Sequence, residues 1–230
     1  MSLDPELTVF RVTVWILPIL LAITLHEAAH AFVAWKLGDD TALRQGRVTL
    51  NPINHLDPIG TFFLPGLLLL TGAPFLFGWA RPVPVNFMRL RNPRRDMVLV
   101  AAAGPASNIV MATIAALLFH VVPYVPQVAS EWMAWNLKNA ITINIILAVF
   151  NMLPIPPLDG GRVAVGILPA PLARPLASLE RFGFMILLGL LFFLPMVGDF
   201  VGLDLNLFRA IVSPIAGILT EFVVLISFHG

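Results

Sequence analysis

The stretch LAITLHEAAHAFVAW, residues 21–35, sets His26, Glu27 and His30 inside an otherwise oily run. An ionisable side chain at membrane depth is costly to hold, so its presence there points to a functional site. The rest of the chain decides whether the run is a membrane span. The 230 residues are 58% hydrophobic and 12% charged, with a mean hydropathy of +0.89. Soluble domains carry about 25% charged residues, so these values describe an integral membrane protein. A net charge of +1 gives no reason to expect a nucleic-acid partner. There is no cysteine, so no disulfide forms and any metal must be held by His, Asp or Glu.

A membrane-crossing helix needs about 20 mostly apolar residues. On that scale the spans are expected at about 10–36, 97–122, 132–152, 182–200 and 205–227, with Trp132 and Trp135 as interfacial anchors. The opening MSLDPELTVFR is acidic and lacks a basic leader, which reads as a retained first span rather than a cleaved signal. A sixth apolar run, 59–79, is broken by Pro65-Gly66 and by Gly72-Ala73-Pro74. Basic residues flank it on both sides. Lys36, Arg44 and Arg47 precede it; Arg81, Arg89, Arg91, Arg94 and Arg95 follow, against Asp96 alone. Cationic loops stay cytoplasmic, so the run is expected to dip in and return as a re-entrant or interfacial hairpin. An ordinary kinked span is the alternative. The segment TALRQGRVTLNPINHLDP, 41–58, holds β-type residues at Arg47–Leu50 and Asn-Pro turn signals, and is expected to form a small membrane-associated β element. The expected architecture is an all-α polytopic membrane protein of about five transmembrane helices with those two additions. It forms one domain over 1–230.

His26-Glu27-Ala28-Ala29-His30 is an HExxH string. Positions i and i+4 share a helix face, so both imidazoles can reach one zinc ion. Glu27 lies about 100° round the helix, beside the metal, where it can take a proton from the attacking water. A packed, hydrogen-bonded histidine pair is the bland alternative, but it would bury three polar groups to no purpose. Two histidines leave a catalytic zinc one protein ligand short. Asp159, in NMLPIPPLDGGR after the span at about 132–152, is one candidate; His55 and Asp57 in NPINHLDP are the others, with turn capping or site support as their further possibility. Arg162 is placed to reach the cytosolic interface. His120 and His229 fall near span ends, as interfacial residues. Glu221 is an acid within the last span, with ion pairing as its default role. Asn144, seven residues before Asn151, shares its helix face and either lines a water path or bonds between helices.

HExxH in the first span, AAAGPASN at 101–108 and FNMLPIPPLDGG at 150–161, in that order, resemble the site-2 protease family of intramembrane zinc metallopeptidases. The resemblance covers about residues 20–165. GRVTLNP at 46–52 and GWARPVPVN at 78–86 are similar to its compact prokaryotic branch, which lacks PDZ and CBS domains. The resemblance implies that His26, His30 and Asp159 ligate one catalytic zinc ion, Zn2+, which favours Asp159 over His55 and Asp57. It implies that Glu27 is general base and then proton donor to the leaving amine. It implies that Asn151 holds the substrate backbone or the oxyanion, and that Asn108 lines the same core as a substrate-binding residue. The implied catalytic core is about 8–168, and the helices at about 178–228 are variable. The implied substrate partner is a transmembrane helix in a lipid bilayer, cut near the cytosolic face of a prokaryotic cell membrane, in signalling or in clearing remnant peptides. A catalytically silent zinc-binding protein and a metal transporter are the competing readings. Transport predicts acidic and histidine residues along several spans, which this chain does not supply. Oligomeric state and substrate identity are not encoded in these motifs.

Overall fold

The computed structural model describes residues 5–70 and 78–228. Its longest helices are α1 (Pro5–Lys36), α3 (Pro93–Leu118) and α4 (Gln127–Asn151), with a short α2 (Leu64–Leu70) between the first two. After α4 come α5 (Asp159–Ile167), α6 (Ala170–Ser178), α7 (Gly183–Leu188), α8 (Leu194–Val201) and α9 (Ser213–Phe228). Among the described residues, five stretches are long and apolar enough to cross a membrane: Phe10–Lys36, Pro93–Tyr124, Gln127–Asn151, Ala170–Val201 and Phe208–Ser227. The expected spans all fall on these stretches. The fourth begins earlier than hydropathy alone suggests, because its first turns carry Arg174, Glu180 and Arg181.

Helices α1, α3 and α4 pack against one another and form the centre. Their contact faces are built from small residues. Ala22, Ala31 and Ala34 of α1 and Ala112 and Ala116 of α3 are fully buried. Small side chains let helix backbones approach closely, which drives association where lipid offers no hydrophobic contrast. The last apolar stretch, Phe208–Ser227, closes one side through Val212, Ala216 and Val223. Met185, Phe193 and Met196 of the fourth span stay 60–73% exposed, an apolar surface suited to lipid. Trp132 bonds Thr13 of α1 through its indole N–H at 3.1 Å, and Lys138 lies over the Trp135 ring within α4.

The β element is not formed. Among the described residues there is no strand, and 48–50 is a run of bends. Two features override the β-branched Val48 and Thr49. Arg47 turns inward, 4% exposed, and spends its guanidinium on the Arg81 carbonyl at 2.6 Å. Pro82 and Pro84 remove ladder donors from the extended stretch opposite. The loop is held instead by side-chain turns: Asn51 accepts from the Ile53 N–H, and Asp57 accepts from the Ile59 and Gly60 N–H groups.

The apolar run 59–79 is not among the five spans. Its described part is a π turn, Pro58–Phe63, followed by α2, together about 20 Å of helix. Residues 71–77, with the Gly72-Ala73-Pro74 break, lie outside the described residues. The two ends of the run meet: Trp79 donates its N–H to the Gly60 carbonyl at 3.1 Å, and Thr61 donates its hydroxyl to the Trp79 carbonyl at 3.0 Å. The end of α1 and the start of α3 meet as well. Arg91 N–H bonds the Leu37 carbonyl at 3.0 Å, and Arg89 pairs with Asp40.

A candidate metal centre between three helices

His26 and His30 project from one face of α1, a single turn apart. Their Nε2 atoms lie 3.0 Å from each other. Asp159 Oδ2 lies 3.2 Å from His26 Nε2 and 3.3 Å from His30 Nε2. All three side chains are buried. They form the one cluster of metal-ligand type among the described residues.

The back side of each imidazole fixes what its front can do. His30 Nδ1 is 2.7 Å from the Val100 carbonyl, which only accepts, so Nδ1 donates. Asn108 donates its amide N–H to the Ala22 carbonyl at 3.2 Å, which turns its Oδ1 toward His26 Nδ1 at 2.6 Å. His26 Nδ1 therefore donates too. Each neutral ring then carries a lone pair on Nε2. Asp159 Oδ2 is buried and has no hydrogen-bond donor. Burial raises the Asp159 carboxyl, and an imidazole N–H or positive charge beside it lowers it; a bound cation supplies that charge where both Nε2 atoms carry lone pairs. Two lone pairs and a carboxylate oxygen thus face one point. Such a set repels itself unless a cation sits within it. Two imidazole nitrogens, one carboxylate oxygen and an open side are the donor set of a catalytic zinc.

Glycines make this approach possible. A Cβ on Gly104 of α3 would lie 2.3 Å from His30 Nε2 and 2.6 Å from His26 Nε2. A Cβ on Gly160 would lie 2.2 Å from the Met152 carbonyl oxygen. That contact seats the first turn of α5 against the end of α4 and aims Asp159 inward, from a helix N-terminus that favours a carboxylate. Gly104→Ala is expected to cost about 1–3 kcal/mol of overpacking and to strip zinc while the helices still form. Zinc per chain and helical circular dichroism check this; full zinc retention would show that the imidazoles have another resting place.

The centre opens onto a cavity of about 670 Å3 lined by Glu27, Trp79, Val83, Asn151, Arg162 and Phe184, among others. Glu27 is outside the ligand cluster. Its Oε2 accepts the Val83 backbone N–H at 2.8 Å. Asn151 sits on the cavity wall, with one amide N–H on the Leu147 carbonyl at 3.0 Å. Arg162 bonds Glu180 at 2.9 Å, lies over the Phe87 ring and lines the cavity.

Asn108 is not on the cavity wall. It is fully buried behind His26, with Asn144 on its far side. Asn144 is fully buried too, so it bonds between helices and lines no water path. His55 is buried against the Thr49 carbonyl and Asp57 caps a turn, so neither joins the cluster. His120 bonds the Ser227 carbonyl at 2.8 Å; His229 lies outside the described residues. Glu221 faces outward on α9, with no ion pair among the described residues. Sequence reasoning missed Val100 and Val83, which act through backbone atoms and leave no side-chain signature. Gly104 was visible in AAAGPASN, but its contact was not.

Comparison with known proteins gives the same direction. Residues 120–194 match the profile of Peptidase family M50, a stretch that includes Asp159 but not the HExxH helix. YwhC of Bacillus subtilis, which carries a zinc-metalloprotease name, is 40% identical over 213 residues, covering 87% of this chain and 93% of that protein. Rip2 of Mycolicibacterium smegmatis, named likewise, is 33% identical over 172 residues, 75% of this chain and 64% of that protein. Rip2 of Mycobacterium tuberculosis (strain H37Rv) is 33% identical over 193 residues, 82% and 70% respectively. No solved structure matches the chain. With YwhC matched along nearly its whole length, the chain belongs to peptidase family M50, the site-2-type zinc metalloproteases.

Proposed function

We propose that this chain hydrolyses a peptide bond within a transmembrane helix of another protein, using one zinc ion held by His26, His30 and Asp159. The observation that carries this reading is the convergence of three acceptor atoms within 3.3 Å in a cavity between membrane helices. Zinc, when bound, supplies Lewis acidity that polarises the scissile carbonyl and acidifies the attacking water. The chain's own groups do the rest. Glu27 takes the proton from that water and passes it to the leaving amine. Asn151 keeps an amide N–H and its carbonyl for the substrate backbone. The apolar walls, Trp79 and Phe184 among them, shield the reacting groups from bulk water.

The active centre faces the cytoplasm in this proposal. The basic segments that follow α1 and precede α3 lie together, joined by Arg91 to Leu37 and Arg89 to Asp40. The same contacts, with the Trp79–Gly60 bond, support a re-entrant path for 59–79. Since the chain has no cysteine, single cysteines report topology cleanly. Gln45→Cys and Met88→Cys are expected to label from one side and Val128→Cys from the other. Labelling of Gln45→Cys and Met88→Cys from opposite sides would make 59–79 a crossing.

The test of function is cleavage of synthetic single-span peptides, each with an Asn-Pro break in its apolar segment, by the purified protein in micelles. The expected result is a cut inside the apolar segment, lost with phenanthroline and restored by zinc. Cleavage of soluble peptides alone would overturn the reading. Signalling by release of a membrane-held factor, or clearance of remnant signal peptides, are the roles such a cut serves.

A further inference from the structure

Residues 78–86, GWARPVPVN, run beside the centre as a stretch that is neither helix nor strand. Alternate backbone N–H groups, those of Trp79, Arg81 and Val83, lie along one edge and are spent on the protein. Trp79 donates to the Gly60 carbonyl at 3.1 Å, Arg81 to the His55 carbonyl at 2.9 Å and Val83 to Glu27 Oε2 at 2.8 Å. On the other edge Pro82 and Pro84 have no N–H at all. Within Pro82-Val83-Pro84 there is thus a single donor, and it goes to the residue placed as general base. The prolines also hold Val83 in extended backbone. Its side chain is anchored against Ala31 and Ala42. The segment is pinned on either side, by Arg47 on the Arg81 carbonyl at 2.6 Å and by Asp39 on the Asn86 N–H at 2.6 Å.

This answers a question that the ligand set raises. Glu27 is the next residue after a metal-facing histidine, on the same cavity, yet it stays out of the cluster. An ionised carboxylate left free beside a cation would turn onto it and close the open position. We propose that Val83 is a positioning residue: its backbone N–H holds Glu27 Oε2 away from the metal, leaving Oε1 to work on the water. A charge-assisted bond to a fixed amide is strong enough to set that orientation. The inference rests on the reading of Glu27 as general base.

Val83→Pro removes the N–H and keeps extended backbone between two prolines. With the broken-span peptides as substrate, kcat is expected to fall at least tenfold while KM stays within threefold. Zinc release to a chelator is expected to slow several-fold, because the freed Glu27 joins the metal. That slowing must disappear in Val83→Pro/Glu27→Gln. Val83→Thr restores the N–H with nearly the same shape and is expected to restore kcat. A merely structural role for Val83 would speed zinc release. Faster or unchanged release in Val83→Pro, wild-type kcat in it, or an equal loss in Val83→Thr would each overturn the inference. If wild type cuts no spanning peptide, the functional reading fails, and the zinc-release comparison still decides the role of Val83.

Discussion

Glu27→Gln is expected to abolish cleavage while zinc stays bound. Glutamine keeps the length and shape of glutamate, and its carbonyl oxygen still accepts the Val83 N–H that Glu27 accepts at 2.8 Å. What it loses is the ability to take a proton. General-base catalysis contributes about 10²–10⁴-fold, so kcat on the broken-span peptides falls by that range. His26, His30 and Asp159 are untouched by the change, so metal analysis of the purified variant returns the wild-type zinc content. Cleavage at the wild-type rate would remove Glu27 from the mechanism. Loss of zinc along with activity would make it a ligand or a structural support instead.

Asp159→Asn acts on the other half of the centre. The amide is neutral, so the carboxylate that faces the two Nε2 atoms disappears. Its N–H donors would then face two imidazole lone pairs, and one amide rotamer is left with no oxygen toward the metal. Removing an outer-shell partner of a metal ligand costs about 10–100-fold in affinity; loss of the ligand charge itself is expected to exceed about 100-fold. A chelator competition measures this. Unchanged affinity would take Asp159 out of the ligand set. The fold is expected to survive, because the DGG turn is set by the backbone contact at Gly160 rather than by the carboxylate.

Much of the centre was legible because helical spacing is rigid. HExxH puts two imidazoles one turn apart whatever surrounds them, and low charge with high hydropathy announced the spans. Asp159 was harder, since nothing local says that a carboxylate 129 residues after His30 turns inward. The ordered set of three motifs singled it out, and α5 brings it within 3.3 Å. Asn108 went to the wrong place: the GPASN string puts it beside the histidines but does not say on which side. Its bond to His26 Nδ1 makes it a support for the ring rather than a substrate contact. The expected β element failed because local propensity at Val48 and Thr49 is weak beside an arginine that turns inward. The polar beginning of the fourth span was unreadable by hydropathy, since Arg174 of α6, and Glu180 and Arg181 just after it, precede the oily part. Backbone groups left no trace at all, and two of them, the Val100 carbonyl and the Val83 N–H, orient the ligand and the base.

The central claim is that two imidazoles of α1 and the carboxylate of α5 hold one zinc ion. X-ray absorption at the zinc edge, on metal-loaded wild type and on Asp159→Asn, tests it most directly. The account predicts one zinc per chain, with two imidazole nitrogens at about 2.0–2.1 Å and a carboxylate oxygen at about 2.0–2.2 Å. The oxygen contribution should change and occupancy should fall in the variant. A zinc shell without imidazole scattering, or an identical spectrum and occupancy in Asp159→Asn, would contradict it.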